Sequence, residues 1–370
     1  MNRITLFLCG DVMLGRGIDQ ILKHPNRPRL FEPYVRSAKD YVSLAEANAG
    51  PLPERVPFDY VWGDARRELD RMNPDARIIN LETAVTSSED AWPRKGIHYR
   101  MHPANAPVLS AAKIDCCSLA NNHVLDWGYR GLLETLSTLR AAGIHTAGAG
   151  QDDVEAAAPA LIELAGRGRV VVFALATQCS GVGKDWAAGR GRPGVNRLAD
   201  FSAESVRTIA TQVRMVRRPA DVVVVSIHWG ANFDFDIPAS HRRFAHDLVD
   251  SAAVDVVHGH SSHHVKGIEL YRGKLLLYGA GDFINDYEGI SGQEAYRGDL
   301  SLMYFPVVDV ATGNLVELSM TPTQTRRFRV NHAPEEGIRW LEETLNRESR
   351  PLGARVERRA DDTFVLRACA

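Results

Sequence analysis

Val254-Asp255-Val256-Val257-His258-Gly259-His260-Ser261-Ser262-His263-His264 decides how this chain is read. The stretch opens on a short β-branched apolar run, the composition of a strand buried on both faces of a sheet. It then places four of the chain's 13 histidines within one turn of polar residues. A scattered histidine is ordinarily a surface or core residue. Several imidazoles at one strand end can converge on a point, and neutral imidazole is a common ligand for divalent transition metals.

The same arrangement recurs outward from this stretch. Apolar runs at 4–9, 76–79, 116–120, 170–174, 222–227 and 275–278 read as strands. Most close on polar residues: Gly10-Asp11, Asn80-Leu81-Glu82-Thr83, Asn121-Asn122-His123, His228-Trp229-Gly230 and Gly279-Ala280-Gly281-Asp282. Helical periodicity fills the intervals at 128–142 (Leu132, Leu133, Leu136, Leu139), 203–216 and 240–253. Alternating strands and helices specify an α/β layered domain, and in open α/β sheets ligands bind at the carboxyl ends of the strands. Residues 41–56 and 181–194 read as loops, the second a candidate lid or substrate loop. Residues 334–347 read as a helix and 361–367 as a last short strand. The expected organisation is a catalytic domain over 1–325, with 326–370 as a carboxyl-terminal helix and strand extension packing on it.

The polar strand ends form one donor set. Asp11, Glu82, Asn122, His123 and His228, with histidines of the 258–264 run, His260 and His263 among them, supply two carboxylates, an amide carbonyl and three or more imidazoles, enough for two divalent ions. Cations about 3.5–4 Å apart need a shared anion, and Glu82 is the expected bridge. Asp126, three residues after His123, suits either orienting that imidazole or capping the following helix. Trp127 and Trp229 flank ligand segments and are placed to wall a pocket.

Composition excludes some classes. A net charge of −2 in 370 residues argues against nucleic-acid binding. Five irregularly spaced cysteines, two of them adjacent, suit a reducing compartment. The apolar run at 4–9 is shorter than the roughly 7–15 residues of a secretory core or the about 20 of a membrane span. A cytoplasmic protein without a membrane anchor is therefore expected.

Together these blocks resemble the CapA, or poly-γ-glutamate capsule synthesis, family of the calcineurin-like metallophosphoesterase superfamily. The resemblance rests on Gly10-Asp11-Val12-Met13-Leu14-Gly15-Arg16, Asn80-Leu81-Glu82-Thr83, Ala120-Asn121-Asn122-His123-Val124-Leu125-Asp126-Trp127-Gly128, His228-Trp229-Gly230, Gly259-His260-Ser261-Ser262-His263 and Tyr278-Gly279-Ala280-Gly281-Asp282-Phe283. It implies a four-layer αββα metallophosphatase-like sandwich, with one or two ions of Mn, Zn, Fe or Ca on Asp11, Glu82, Asn122, His228, His260 and His263, and His123 as general acid or transition-state stabiliser. Three departures stand out. Met13 occupies a position where the superfamily usually has a histidine ligand, Glu82 replaces a bridging Asp, and two serines separate His260 from His263. They weigh against ordinary phosphoester hydrolysis. Soluble members occur with lasso-peptide biosynthesis, which implies an epimerase. The expected activity is thus Cα epimerisation of a peptide, with His123, His264 and Asp126 as acid/base candidates, Arg16 and Lys266 anchoring a carboxylate, and Trp229 lining the pocket. Phosphoester hydrolysis and poly-γ-glutamate synthesis or processing are the alternatives.

Overall fold

The computed structural model describes residues 2–369. Two sheets of ten and six strands face one another. The centre of the larger is parallel: Arg3–Val12, Ala76–Leu81, Cys116–Ser118 and His145–Ala147 lie side by side. Antiparallel strands Leu300–Asp309 and Leu315–Thr325 extend it on the other flank. The smaller sheet runs Ile268–Tyr271, Lys274–Leu277, Val256–His260, Asp221–His228, Gly168–Ala176 and Ala160–Leu164, and its four middle strands are parallel.

Side-chain alternation explains why the smaller sheet is apolar throughout. Val170, Val172, Val222, Val224, Val256, Leu275 and Leu277 share one core with strands of the larger sheet. Their neighbours Val171, Phe173, Val223, Val225, Val257 and Leu276 pack instead with Ile209, Val213, Phe244 and Leu248 of helices Ala203–Val216 and Ala239–Ala252. A strand covered on both faces has no solvent side to make polar. Helices Gly63–Met72 and Gly128–Ala141 bury Ala65, Leu69, Leu132, Leu136 and Leu139 in the core of the larger sheet. The architecture is a mixed α/β sandwich of helices around two sheets.

The strands run further than their apolar stretches. Asp11 lies inside Arg3–Val12, and His228, His258 and His260 lie inside their strands. Ladder register therefore fixes these side chains. Asp11 sits opposite Asn80 on one side and Asp282 on the other, and His228 sits opposite His260. The segment 41–56, expected as a loop, is instead largely helical, as part of Ala38–Ala49. Its alanines favour a helix, the Ser37 hydroxyl accepts from Lys39 N to cap the start, and Gly50, at φ 84°, ends it before Pro51. Residues 326–370 also do more than lie on the domain. Phe364–Ala368 hydrogen-bonds to Leu315–Thr325, and Ala354–Arg358 to Phe364–Ala368, so this segment extends the larger sheet. No helix among the described residues is long and apolar enough to cross a membrane.

Gly10 is where the first strand meets the segment carrying Asp282. Asp11 N donates to Gly281 O at 2.8 Å, and a Cβ on Gly10 would lie 2.0 Å from that same oxygen. Both clashing groups are backbone, so no side chain can yield. Gly10→Ala is expected to cost about 1–3 kcal/mol of stability, the usual range for overpacking, read as a lower midpoint in urea unfolding with an unchanged slope.

Candidate metal centre

Asp11 is fully buried and bonded on both oxygens. Oδ1 accepts from Asn80 Nδ2 at 2.7 Å and Oδ2 from Ser261 N at 3.2 Å. The same Asn80 amide donates to Glu82 Oε2 at 3.0 Å, while Asn80 Oδ1 accepts from Asn121 at 3.1 Å. Asn80 thus ties two carboxylates to the loop that carries Asn122 and His123. Across the interface, one ring N–H joins the Nδ1 atoms of His228 and His260 at 2.8 Å, and His260 Nε2 meets Ser226 Oγ at 2.8 Å. Asn122 Oδ1 lies 3.2 Å from His228 Nε2, and Glu82 Oε1 lies 3.8 Å from the same atom. His263 Nδ1 is 2.8 Å from Asp282 Oδ1.

All six ligands expected from sequence therefore gather at one place. Two sets of donor atoms lie within 4.8 Å of one another: Asp11 with His228 and His260, and Asp11 with His263 and Asp282. Asp11, rather than Glu82, is common to both. Asp282 was not singled out from sequence. Its Gly-Asp-Phe setting resembles a capped turn, and its partnership with His263 depends on pairing with the first strand.

The donor chemistry fits divalent cations. Asp11, Glu82 and Asp282 are each at most 1% exposed. Burial and then repulsion from Asp282 raise the Asp11 pKa; burial and then Asp11 raise that of Glu82. Crowded dry carboxylates are unfavourable without a counter-charge. Burial holds His228 and His260 well below the usual imidazole range, so both are neutral and ready to ligate. These buried His/Asp groups can hold metal ions.

His123 stands beside the cluster with Nε2 3.8 Å from Glu82 Oε1. Its Nδ1 donates to Asp126 Oδ2 at 2.6 Å. Asp126 accepts from Tyr99 N as well, at 2.6 Å, and is paired with Lys95. The residue that caps the next helix is Trp127, without a side-chain bond, so Asp126 orients the imidazole. Burial pulls His123 down to about 4, against the opposing pull of Asp126. Lys95, unremarkable in a Pro-Arg-Lys-Gly loop, also donates to Asn122 O at 2.5 Å.

Four other expected site residues have different surroundings. Both ring nitrogens of His264 are engaged, Nδ1 with Val265 O and Nε2 with Asp234 N, each at 3.1 Å. Lys266 Nζ donates to Asp236 O at 2.9 Å. Together they strap the 232–236 loop down rather than face a substrate. Arg16 is bonded to Asp286, Glu32 and Tyr41 inside the protein, so its guanidinium is already matched by carboxylates. Trp229 is 2% exposed, stacks on His241 and belongs to the core behind the smaller sheet, because strand alternation turns it away from His228.

The chain belongs to the bacterial capsule synthesis protein family PGA_cap, whose model matches residues 5–287. A probable polyglutamine synthesis accessory protein of Mycobacterium tuberculosis is 46% identical over 364 residues, 98% of this chain and 96% of that protein. The PGA biosynthesis protein CapA of Bacillus subtilis is 25% identical over 280 residues, 75% of this chain and 62% of its own length. Among solved structures, a phosphatase from Mycoplasma pneumoniae superposes with a TM-score of 0.46 at 10% identity, covering 92% of this chain and 97% of that one.

Asp11→Asn separates the two consequences of this geometry. In chelator the variant is expected to unfold at a lower temperature than the unaltered protein, because relief of carboxylate crowding does not offset an amide NH2 set against one of the two buried donors that Asp11 accepts from. The rise in unfolding temperature on adding Mn²⁺, expected for any ligand of the folded state, should be lost. Calorimetry with and without Mn²⁺ reads both.

Proposed function

We propose that this chain is a divalent-metal-dependent enzyme acting at amide linkages of a glutamate polymer during its synthesis. The polymer is suggested by the family's link to capsule synthesis and by two relatives named for polymer synthesis, the mycobacterial protein for polyglutamine and the Bacillus subtilis protein for PGA. The observation that carries the enzymatic reading is His123, held at Nδ1 by Asp126 with Nε2 turned to the Asp11-centred cluster. A purely structural metal site has no use for an oriented imidazole that is free on its inner nitrogen.

A bound divalent ion would polarise an oxygen of the substrate and lower the pKa of water. The protein's own groups do the rest. Asp126 fixes the tautomer of His123, leaving Nε2 to take up a proton and return it to a departing amine. Lys95 and Tyr99 N hold Asp126. The imidazole donors favour Mn, Fe or Zn over Ca, which takes oxygen ligands. One or two ions fit, since the two donor sets share Asp11 and Asp282 supplies a carboxylate to the second. Cα epimerisation between two bases is less well supported, because His264 is fully engaged and His123 alone remains as a free ring.

His123→Ala is expected to slow cleavage of a γ-linked glutamate oligomer by about 10²–10⁴-fold, the range for loss of a general acid, with metal content unchanged by elemental analysis. Turnover of an aryl phosphate with Mn²⁺ and none of the oligomer would replace this reading with phosphoester hydrolysis. Deuterium uptake at Cα without cleavage would restore epimerisation.

A further inference from the structure

Tyr287 carries a hydroxyl that none of the roles above uses. Its ring packs edge-on against that of His263, with centroids 5.5 Å apart and planes at 80°, and the residue is half-buried. The hydroxyl donates to Met13 Sδ at 3.5 Å, and Met13 stands two residues after Asp11 with no exposed surface. A thioether is a weak acceptor, whereas a buried tyrosine hydroxyl ordinarily finds a strong one. The carboxylate of neighbouring Asp286 is already taken by the Arg16 guanidinium and Gly17 N. Phenylalanine would fill the same space and lose no strong bond, so packing does not account for the hydroxyl.

The charges around the ring favour a donor that keeps its hydrogen. The Arg16 guanidinium lies 4.4 Å from the centre of the Tyr99 ring and 5.6 Å from that of Tyr287. A cation close to a phenol makes its O–H a better donor. Burial, and then Asp282, nevertheless push the Tyr287 hydroxyl well above the ordinary tyrosine range. The group is therefore a neutral phenol beside the carboxylate cluster.

Two rings join this hydroxyl to the acid/base residue. Tyr99 packs against His123 with centroids 4.7 Å apart, and its hydroxyl, 3.5 Å from Asp286 Oδ1, neighbours that of Tyr287. Tyr99 is 1% exposed, so Tyr287 alone of the two retains surface. His123 approaches the cluster beside Glu82 and Tyr287 approaches it beside His263. The two side chains thus flank the Asp11-centred donor set.

We propose that Tyr287 is the hydrogen-bond donor to the substrate oxygen that gains negative charge in the reaction, which on the amide-cleavage reading above is the carbonyl oxygen. The phenol keeps its proton throughout. The carbonyl π pair moves onto the oxygen as water's oxygen bonds to carbon, and returns as the C–N bond breaks and the amine leaves with the proton held by His123. A donor that acts where charge develops lowers the barrier more than it tightens binding, so its loss falls on kcat rather than on KM.

Tyr287→Phe, in the full chain loaded with Mn²⁺, tests this by two routes. With a γ-linked glutamate oligomer, kcat should fall about 10²–10³-fold, the range for one lost oxyanion donor, while KM, Mn²⁺ content and unfolding temperature hold. With inorganic phosphate, a tetrahedral anion that needs no turnover, calorimetry should show binding weakened about tenfold or more, the scale of one hydrogen bond to a charged group. The tyrosine ultraviolet difference spectrum that phosphate induces in the unaltered protein should also be lost. If the unaltered protein leaves the oligomer intact but both phosphate results hold, the amide-cleavage reading fails and Tyr287 stands as the donor. Unchanged phosphate affinity in Tyr287→Phe overturns the proposal, and so does unchanged kcat on a cleaved oligomer, with or without a raised KM. An unaltered protein that neither cleaves the oligomer nor binds phosphate overturns it as well.

Discussion

Three carboxylates forced into a dry interface between two sheets are the constraint around which this protein is built. Asp11, Glu82 and Asp282 come from separate segments, and none reaches solvent. Left alone they repel one another, and Asp11 and Glu82 resist ionisation. The fold answers with neutral imidazoles on the facing sheet, a donor set whose natural complement is a cation. His258, which looks from sequence like one more member of the cluster, donates to Cys9 O at 2.7 Å and ties the sheets together behind it.

The groups around the cluster divide by which charge they meet. His263 sits against Asp282 and is raised above the ordinary imidazole range: burial lowers it, but the pull of Asp282 and Asp11 prevails. Lys95 meets Asp126 and fixes the backbone of Asn122. Arg16 is sealed among Asp286, Glu32, Tyr41 and Tyr99. A buried ion pair of this kind adds little net stability but is costly to break from one side. Such an arrangement suits a residue that holds three segments in fixed relation: its own helix, the segment at Glu32 and the segment at Asp286.

Much of the site was legible before any coordinates. The six expected ligands stand at the ends of apolar β-branched runs, and that pattern survives in one dimension because a parallel strand carries the residue at its own carboxyl end to the same edge of the sheet as its neighbours. Asp282 and Lys95 were not legible in the same way. Asp282 matters because Asp282–Ile284 pairs with the first strand, a contact between residues about 270 positions apart. Lys95 sits in an irregular loop whose composition signals only solvent. In the opposite direction, His264, Lys266 and Trp229 carry the right chemistry at the right place in sequence, and their neighbours remove them from it.

The sequence by itself determined most element types, the helix that reaches into 41–56 excepted, and most of the donor inventory, Asp282 excepted, since both follow from local periodicity and from residue chemistry at strand ends. It also marked the family, because the blocks keep their order. Only the tertiary structure decided which donors are shared, which rings are free and which cations are already matched. Strand register and loop packing set the distances between side chains remote in sequence. At these separations a few ångströms distinguish a ligand from a structural strap.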